Sequence, residues 1–261
     1  MQYLGTIALP VLLLGWFAVF NMVVTGDYIW LWATLGFWIA MSGLGIAVGF
    51  HRVYSHKCYE ITSGWLDLLL LACGTLACQG SSISWVAVHR GYHHPYSDTW
   101  RDPHTPKDSI WNAVFGWYFT VLPGTYSNRY AVELLRRKAH VFAHRHYTKI
   151  LYAFTLTLFL LNWKLALYGY LTAAAISLWQ DNLVNWLGHE PRNPLAYRNV
   201  RTKDQSTNVH YLYLLSWGQL LHNNHHGHPG RFSFALRKGE WDPCVLFKPL
   251  LNLGGYERKG S

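Results

Sequence analysis

Residues 65–85 read WLDLLLLACGTLACQGSSISW, and the topology of the whole chain turns on them. A bilayer crossing takes about 20 predominantly apolar residues, so the run is long enough to tempt that reading. Asp67, Gln79 and three serines make it poorer in apolar character than its rivals, and it is read as a helix lying in or just under the interface. A crossing here would also separate, by the thickness of the membrane, the histidines before it from those after it.

Four other segments are better spans: residues 4–24, 28–50, 147–163 and 165–188. The connections TGDY and NWK are too short to hold a domain, so the segments pair as two helical hairpins that open on the same side. The third is marginal in length and must stand nearly upright. Composition agrees with a membrane protein carrying a large water-facing part. Apolar residues make up 51%, aromatics 16% and charged residues 13%, against about 25% charged in soluble domains. Of the 22 Lys and Arg residues only Lys164 falls at the closed ends of the hairpins. The positive-inside bias makes the open side the cytoplasm, and the net charge of +9 is read as membrane-facing, with no nucleic-acid partner. The N-terminal run has no basic leader or small-residue cleavage site and is expected to be a retained span. Cys58, Cys73, Cys78 and Cys244 form no CxxC pair and are read as small apolar residues.

The expected fold is thus all-α and integral to the membrane, with four transmembrane helices in two hairpins and a cytosolic helical cap. Residues 1–56 form the first hairpin, 57–146 the interfacial and cytosolic helices, 147–189 the second hairpin, and 190–261 a cytosolic C-terminal part. Within these, 110–122 is too short to cross and also lies in the interface, and 190–208 is the longest polar loop.

Nine of the 15 histidines fall in four clusters on the open side: His51 and His56 in HRVYSH, His89, His93 and His94 in HRGYHH, His189 in NWLGH, and His222, His225 and His226 in HNNHH. Nine imidazoles are too many for one tetrahedral ion and suit two metals with four or five nitrogen ligands each. On a regular helix, residues three or four apart share a face. His89 therefore points with His93, His222 with His225 and His226, and Asn185 with His189. His51 and His56, five apart, are about 140° around such a helix. They serve one metal only if the helix ends between them, and otherwise serve two. His140, His144, His146, His210 and His228 read as surface or hydrogen-bonded residues, with the HRH run near 145 a basic surface by acidic lipid or an anionic substrate head. His104 is a candidate partner behind the metal ligands. HPG at 228–230 lacks the context of a haem domain, so electrons come from a separate protein.

At these residues the chain resembles the integral-membrane, histidine-box fatty acyl desaturases, in particular the bacterial and plant group acting between carbons nine and ten. GFHRVYSHK is similar to the first box, WVAVHRGYHHPYSDTWRDPHTP to the second, and TKDQSTN with SWGQLLHNNHH to the third; NWLGH is similar to the NxxxH element. The resemblance spans roughly residues 40–230. It departs in three places. Gly91-Tyr92 gives the second box one extra residue, the HxxxHH spacing of related hydroxylases. Gln219 and Leu221 stand where an acidic residue and an aromatic are usual, and Trp186 and Leu187 fill an NxxxH interior that is usually small.

The resemblance implies a cis double bond placed in a saturated acyl chain with O2 and two irons. An alkyl C–H bond has no acidity, so acid–base catalysis cannot touch it, whereas iron with oxygen can remove the hydrogen. Imidazole also suits zinc, which could occupy the purified protein. The implied ligands are His51, His56, His89, His93, His94, His189, His222, His225 and His226, with Asn185 acting through water. Asp98, Asp102, Asp181 and Asp204 are candidates to fix the imidazole tautomers. Trp85 is expected to line the acyl channel, with the head among Arg90, Arg101, Lys107 and Arg201. The acyl carrier is CoA, acyl-carrier protein or lipid. The electron donor is a ferredoxin or a b-type cytochrome with its reductase, and the chain is placed in a bacterial inner membrane with its site on the cytoplasmic side. A hydroxylase using the same site is the alternative, and a membrane metal carrier the remote one; a carrier would set its ligands within the spans, along a path.

Overall fold

The computed structural model describes residues 4–120 and 125–258. They are mostly helical, with two short antiparallel β-pairs, Tyr59–Ile61 on Gly255–Glu257 and Ala196–Tyr197 on Asn208–Val209. Leu4–Thr25 and Tyr28–Ser55 are each long and apolar enough to cross a membrane. The apolar helix Tyr147–Leu161 has 15 residues, a length of about 22 Å. It turns at Asn162 into a helical run over residues 163–187. The two turns meet: Lys164 Nζ lies 2.7 Å from Asp27 Oδ2. Leu4–Thr25 and Tyr28–Ser55 both pack against the 163–187 run.

The 65–85 stretch is not one helix. Gly64–Leu76 ends after 13 residues, and Cys78 and Gly80 then take φ values of +62° and +100°. Ser81 caps a new helix by accepting a hydrogen bond from the Ser84 N–H. The first piece is too short to cross a bilayer, so the segments on either side of the break need not lie across the membrane from one another. Residues 110–120 are helical, and residues 121 and 122 of that segment lie outside the described residues.

Four stretches among the described residues are π-wound, Ile39–Ser55, His89–His93, Asn112–Gly116 and Leu165–Leu171, and the first two carry clustered histidines. A π-turn closes i→i+5 hydrogen bonds and so stacks residues five apart. His56 N–H donates to His51 O at 3.1 Å, and His94 N–H to His89 O. The core runs continuously from the first helix through Phe50, Leu66, Ile83, Tyr147 and Tyr170 to Phe232. Cys58, Cys78 and Cys244 are buried in it as free thiols, with Cys73 half-buried.

Candidate metal centre

The structure brings all nine clustered histidines together in two adjacent groups. His51, His56, His89, His94 and His225 form one, and His93, His189, His222 and His226 the other; within each, the ligand atoms lie within 4.8 Å of one another. His51 comes from the last turn of Tyr28–Ser55 and His56 caps it. His89, His93 and His94 come from the helix that starts at Ser82, His189 from the turn after the 163–187 run, and the remaining three from His222–Gly227.

The sorting departs from regular-helix expectations in a consistent way. His51 and His56 share a group: the helix ends at Ser55, between them, and its π-winding stacks residues five apart, so His56 caps it above His51. The same winding pairs His89 with His94 and sends His93 to the other group. On the α-helical His222–Gly227, His222 pairs with His226, four residues on, while His225 faces away. The neighbours His93–His94 and His225–His226 each straddle the two groups, with ring centroids 5.5 Å apart in both pairs.

Every ring turns its Nε2 inward. The Nε2 atoms of His51 and His225 are 2.9 Å apart, those of His56 and His89 2.8 Å, His94 and His89 3.1 Å, and His94 and His225 2.9 Å. In the second group His189 and His222 stand at 3.0 Å and His93 and His226 at 3.2 Å. Nitrogens about 2.1 Å from one ion and at right angles to each other sit about 3.0 Å apart. The Nδ1 side decides what these contacts are. His51 Nδ1–H donates to Gln219 Oε1 at 2.5 Å, His93 to Asp102 at 2.9 Å, His226 to Asp204 at 2.7 Å, and His222 to the Gln219 carbonyl at 3.2 Å. His189 Nδ1 faces Asp98 at 3.4 Å. With its proton on Nδ1, each of these rings points a lone pair at its neighbours, an arrangement that repels itself unless a cation lies between. The residues present therefore fit two nitrogen-bound metal ions.

Electrostatics differ between the groups. Burial holds His89, His93, His94, His222 and His225 well below the usual histidine range, so they stay neutral and able to ligate. Burial pushes Asp98 and Asp204 up, but the hydrogen bonds they accept, first of all from His189 and His226, outweigh it and hold both carboxyls low. Asp102, more deeply buried, is raised. Three carboxylates thus back the second group, whereas the first has an amide, Gln219, behind His51.

The other expected residues separate clearly. Trp85 stacks on His89, centroids 4.8 Å apart at 24°. It lines a cavity beside the groups together with His89, His104, Trp117 and Asn185. Asn185 is thus on the cavity wall one turn before His189. His104 lies 3.3 Å from the far oxygen of Asp102, behind His93. Asp181 contacts no histidine: its carboxylate is buried in the cavity wall beside Gln79, Gln180 and Gln219. Arg90 is engaged within the protein. It donates to the carbonyls of Ser55, Tyr54 and Tyr130 and pairs with Glu133 at 2.7 Å, pinning the second box to the end of the first. Arg101, Lys107 and Arg201 line none of the cavities along this site. His140, His144, His146, His210 and His228 stay outside both groups; His140 is buried between Ser82 and Asp67. Gln219 carries the one role that sequence reading did not assign. Its position three residues before His222 marked it only as a departure from the usual pattern.

A fold of apolar helices capped by two polyhistidine groups defines a class of membrane oxidoreductase, and the chain belongs to the fatty acid desaturase family, whose model matches residues 28–241. It is 34% identical over 218 residues to the sn-1 stearoyl-lipid 9-desaturase of Anabaena variabilis, covering 80% of this chain and 76% of that one. The sn-1 stearoyl-lipid 9-desaturase of Synechocystis sp. is 31% identical over 220 residues, 84% and 67% of the two chains. Delta-9 acyl-lipid desaturase 2 of Arabidopsis thaliana is 34% identical over 223 residues, 81% and 67%.

Proposed function

We propose that this enzyme inserts a cis double bond at carbon nine of a saturated chain carried on a lipid, using O2 and two irons held by the nine histidines. The observation that carries the reading is the convergence of nine Nε2 atoms in groups of five and four, beside a cavity walled by Trp85 and Trp117. The relatives' names, stearoyl-lipid 9-desaturase and acyl-lipid desaturase, support the carrier and the position. The reaction balances as O2, two electrons and two protons with –CH2–CH2– giving –CH=CH– and two waters. The two irons, when bound, supply the activation of O2 that removal of unactivated hydrogens demands, and all-nitrogen ligation suits iron. Asn185 holds a water on the cavity side of His189, and the chain's own walls exclude bulk solvent from the reacting carbons. The electrons come from a separate ferredoxin or b-type cytochrome.

The chain crosses the membrane four times as two hairpins, with boundaries near 56, 146 and 189 and the histidines on the cytoplasmic side of a bacterial membrane. Supporting this, the outer faces of Leu4–Thr25 and Tyr147–Leu161 leave large apolar side chains bare, among them Phe20 at 66% and Leu160 at 80% exposure, as a lipid-facing surface does. Desaturation is favoured over hydroxylation because the π-turn absorbs the extra residue of HRGYHH and still brings His89 to His94.

Gas chromatography with mass spectrometry of fatty acids from a host expressing the gene tests the reading. New monounsaturated chains with the bond at carbon nine are expected, and none from His225→Ala protein that remains folded in detergent. A hydroxylated chain, or unchanged lipid from an expressed, metal-loaded protein, would contradict it.

A further inference from the structure

The cavity beside the histidines has a neighbour of about 220 Å³, which shares Leu4, Gly80 and Ser84 with it and is lined also by Ser81, His144, Arg145 and Tyr147. One helix lays the path between them. Ser81, then Ser84 and Trp85, then Val88 and His89 succeed one another at spacings of three and four, along one face. From Ser81 to His89 that face rises about 12 Å.

The far mouth is cationic. Residues 136–149, RRKAHVFAHRHYTK, hold five Lys or Arg and no carboxylate. Lys138, Phe142, Arg145 and Lys149 form one exposed stripe there, with Phe142 60% exposed, the pattern of a helix lying among headgroups. Arg137 is spent on Asp67 at 2.6 Å, but Arg145 makes no ion pair among the described residues. His144 is fixed beside it by a 2.6 Å contact between its Nδ1 and Ser81 Oγ. Among the described residues, no acidic one lines this mouth.

We propose that this mouth binds the phosphate of a phosphate-bearing acyl carrier through Arg145, with His144 and Ser81 as neighbouring polar groups. A concave site with a guanidinium, hydroxyl and imidazole donors and no acid is matched by a phosphate. The length also fits. Carbons joined by bonds of about 1.5 Å at tetrahedral angles advance about 1.25 Å each, so the ninth carbon of an extended chain lies about 10 Å from its ester carbonyl. An ester carbonyl near Ser81, with its phosphate further out toward Arg145, sets that carbon beside Trp85 and His89. The length argument rests on the desaturase reading; the headgroup site does not.

Equilibrium binding to the purified, metal-free full-length protein separates the two, since it needs no turnover. The probes are stearoyl-phosphatidylglycerol, stearoyl-CoA and a distearoyl galactolipid that lacks phosphate. At least one phosphate-bearing probe is expected to bind tenfold or more tighter than the galactolipid, and the tighter of the two identifies the carrier as lipid or thioester. Arg145→Glu should remove that preference while leaving galactolipid affinity unchanged. Lys138→Glu, on the same stripe but off the cavity, should change it less than twofold. Equal affinity for all three probes, or equal losses from the two variants, would overturn the site.

Discussion

His51 and His56 stand five residues apart and still face one another, ring centroids 4.9 Å apart, because the helix that carries them is π-wound to its end. Both belong to the same five-nitrogen group. Replacing both with Ala should therefore empty one group only, lowering bound metal from two ions per chain to about one. Elemental analysis of the purified double variant checks this, and loss of both ions would mean that the pair serves two sites.

Asp204 accepts the Nδ1–H of His226 and is itself held by Ser206 and Thr202. Removing the charge with Asp204→Asn should weaken the four-nitrogen group by about 10–100-fold, the usual effect of losing a partner behind a metal ligand. Chelator competition should show one ion lost early and the other unchanged. Equal release of both would contradict the separation of the groups.

Arg52 and Asp242 form a fully buried ion pair at 2.9 Å. Arg52 also donates to the Phe232, Ala47 and Trp217 carbonyls, tying the first box to the segments around the third. Asp242→Ala leaves that guanidinium buried without its counter-charge, which should cost about 3–5 kcal/mol of stability. Denaturant unfolding in detergent measures it, and a loss below about 1 kcal/mol would show the pair to be dispensable.

The pH dependence of the metal-free protein is set by burial of the imidazoles. His89, His93, His94, His222 and His225 have folded pKa values well below the ordinary one, and His104 is drawn down to about 4. Below about pH 6.5 the unfolded chain binds more protons than the folded one, so stability is full above that pH and is lost as pH falls. The lowered carboxyls of Asp98 and Asp204 act in the same direction further into acid. Thermal unfolding of metal-free protein should occur at clearly lower temperature at pH 5 than at pH 7.5. An unchanged or higher midpoint at pH 5 would show that these rings are not buried as neutral groups.

Much of this was legible in the chain because metal chemistry narrows the residue types so severely. Nine imidazoles outside the apolar runs announce a dinuclear site, and short polar links such as NWK announce hairpins. Which histidine joins which group was not legible. Apolar periodicity gives no sign that Ile39–Ser55 and His89–His93 leave α-geometry, and assigning faces at 3.6 residues per turn sorts them wrongly. The break within residues 65–85 was hidden for a related reason: Cys78 adopts a left-handed backbone that its side chain does not advertise. Arg90 reads as a headgroup candidate because its charge is visible in sequence, while the three carbonyls it donates to are brought together by folding.

The most direct test of the central claim is the location of metal in the purified protein by anomalous scattering at the iron edge. Two peaks are predicted, one enclosed by His51, His56, His89, His94 and His225, the other by His93, His189, His222 and His226. A single peak shared by all nine, or metal bound elsewhere with both groups empty, would contradict it.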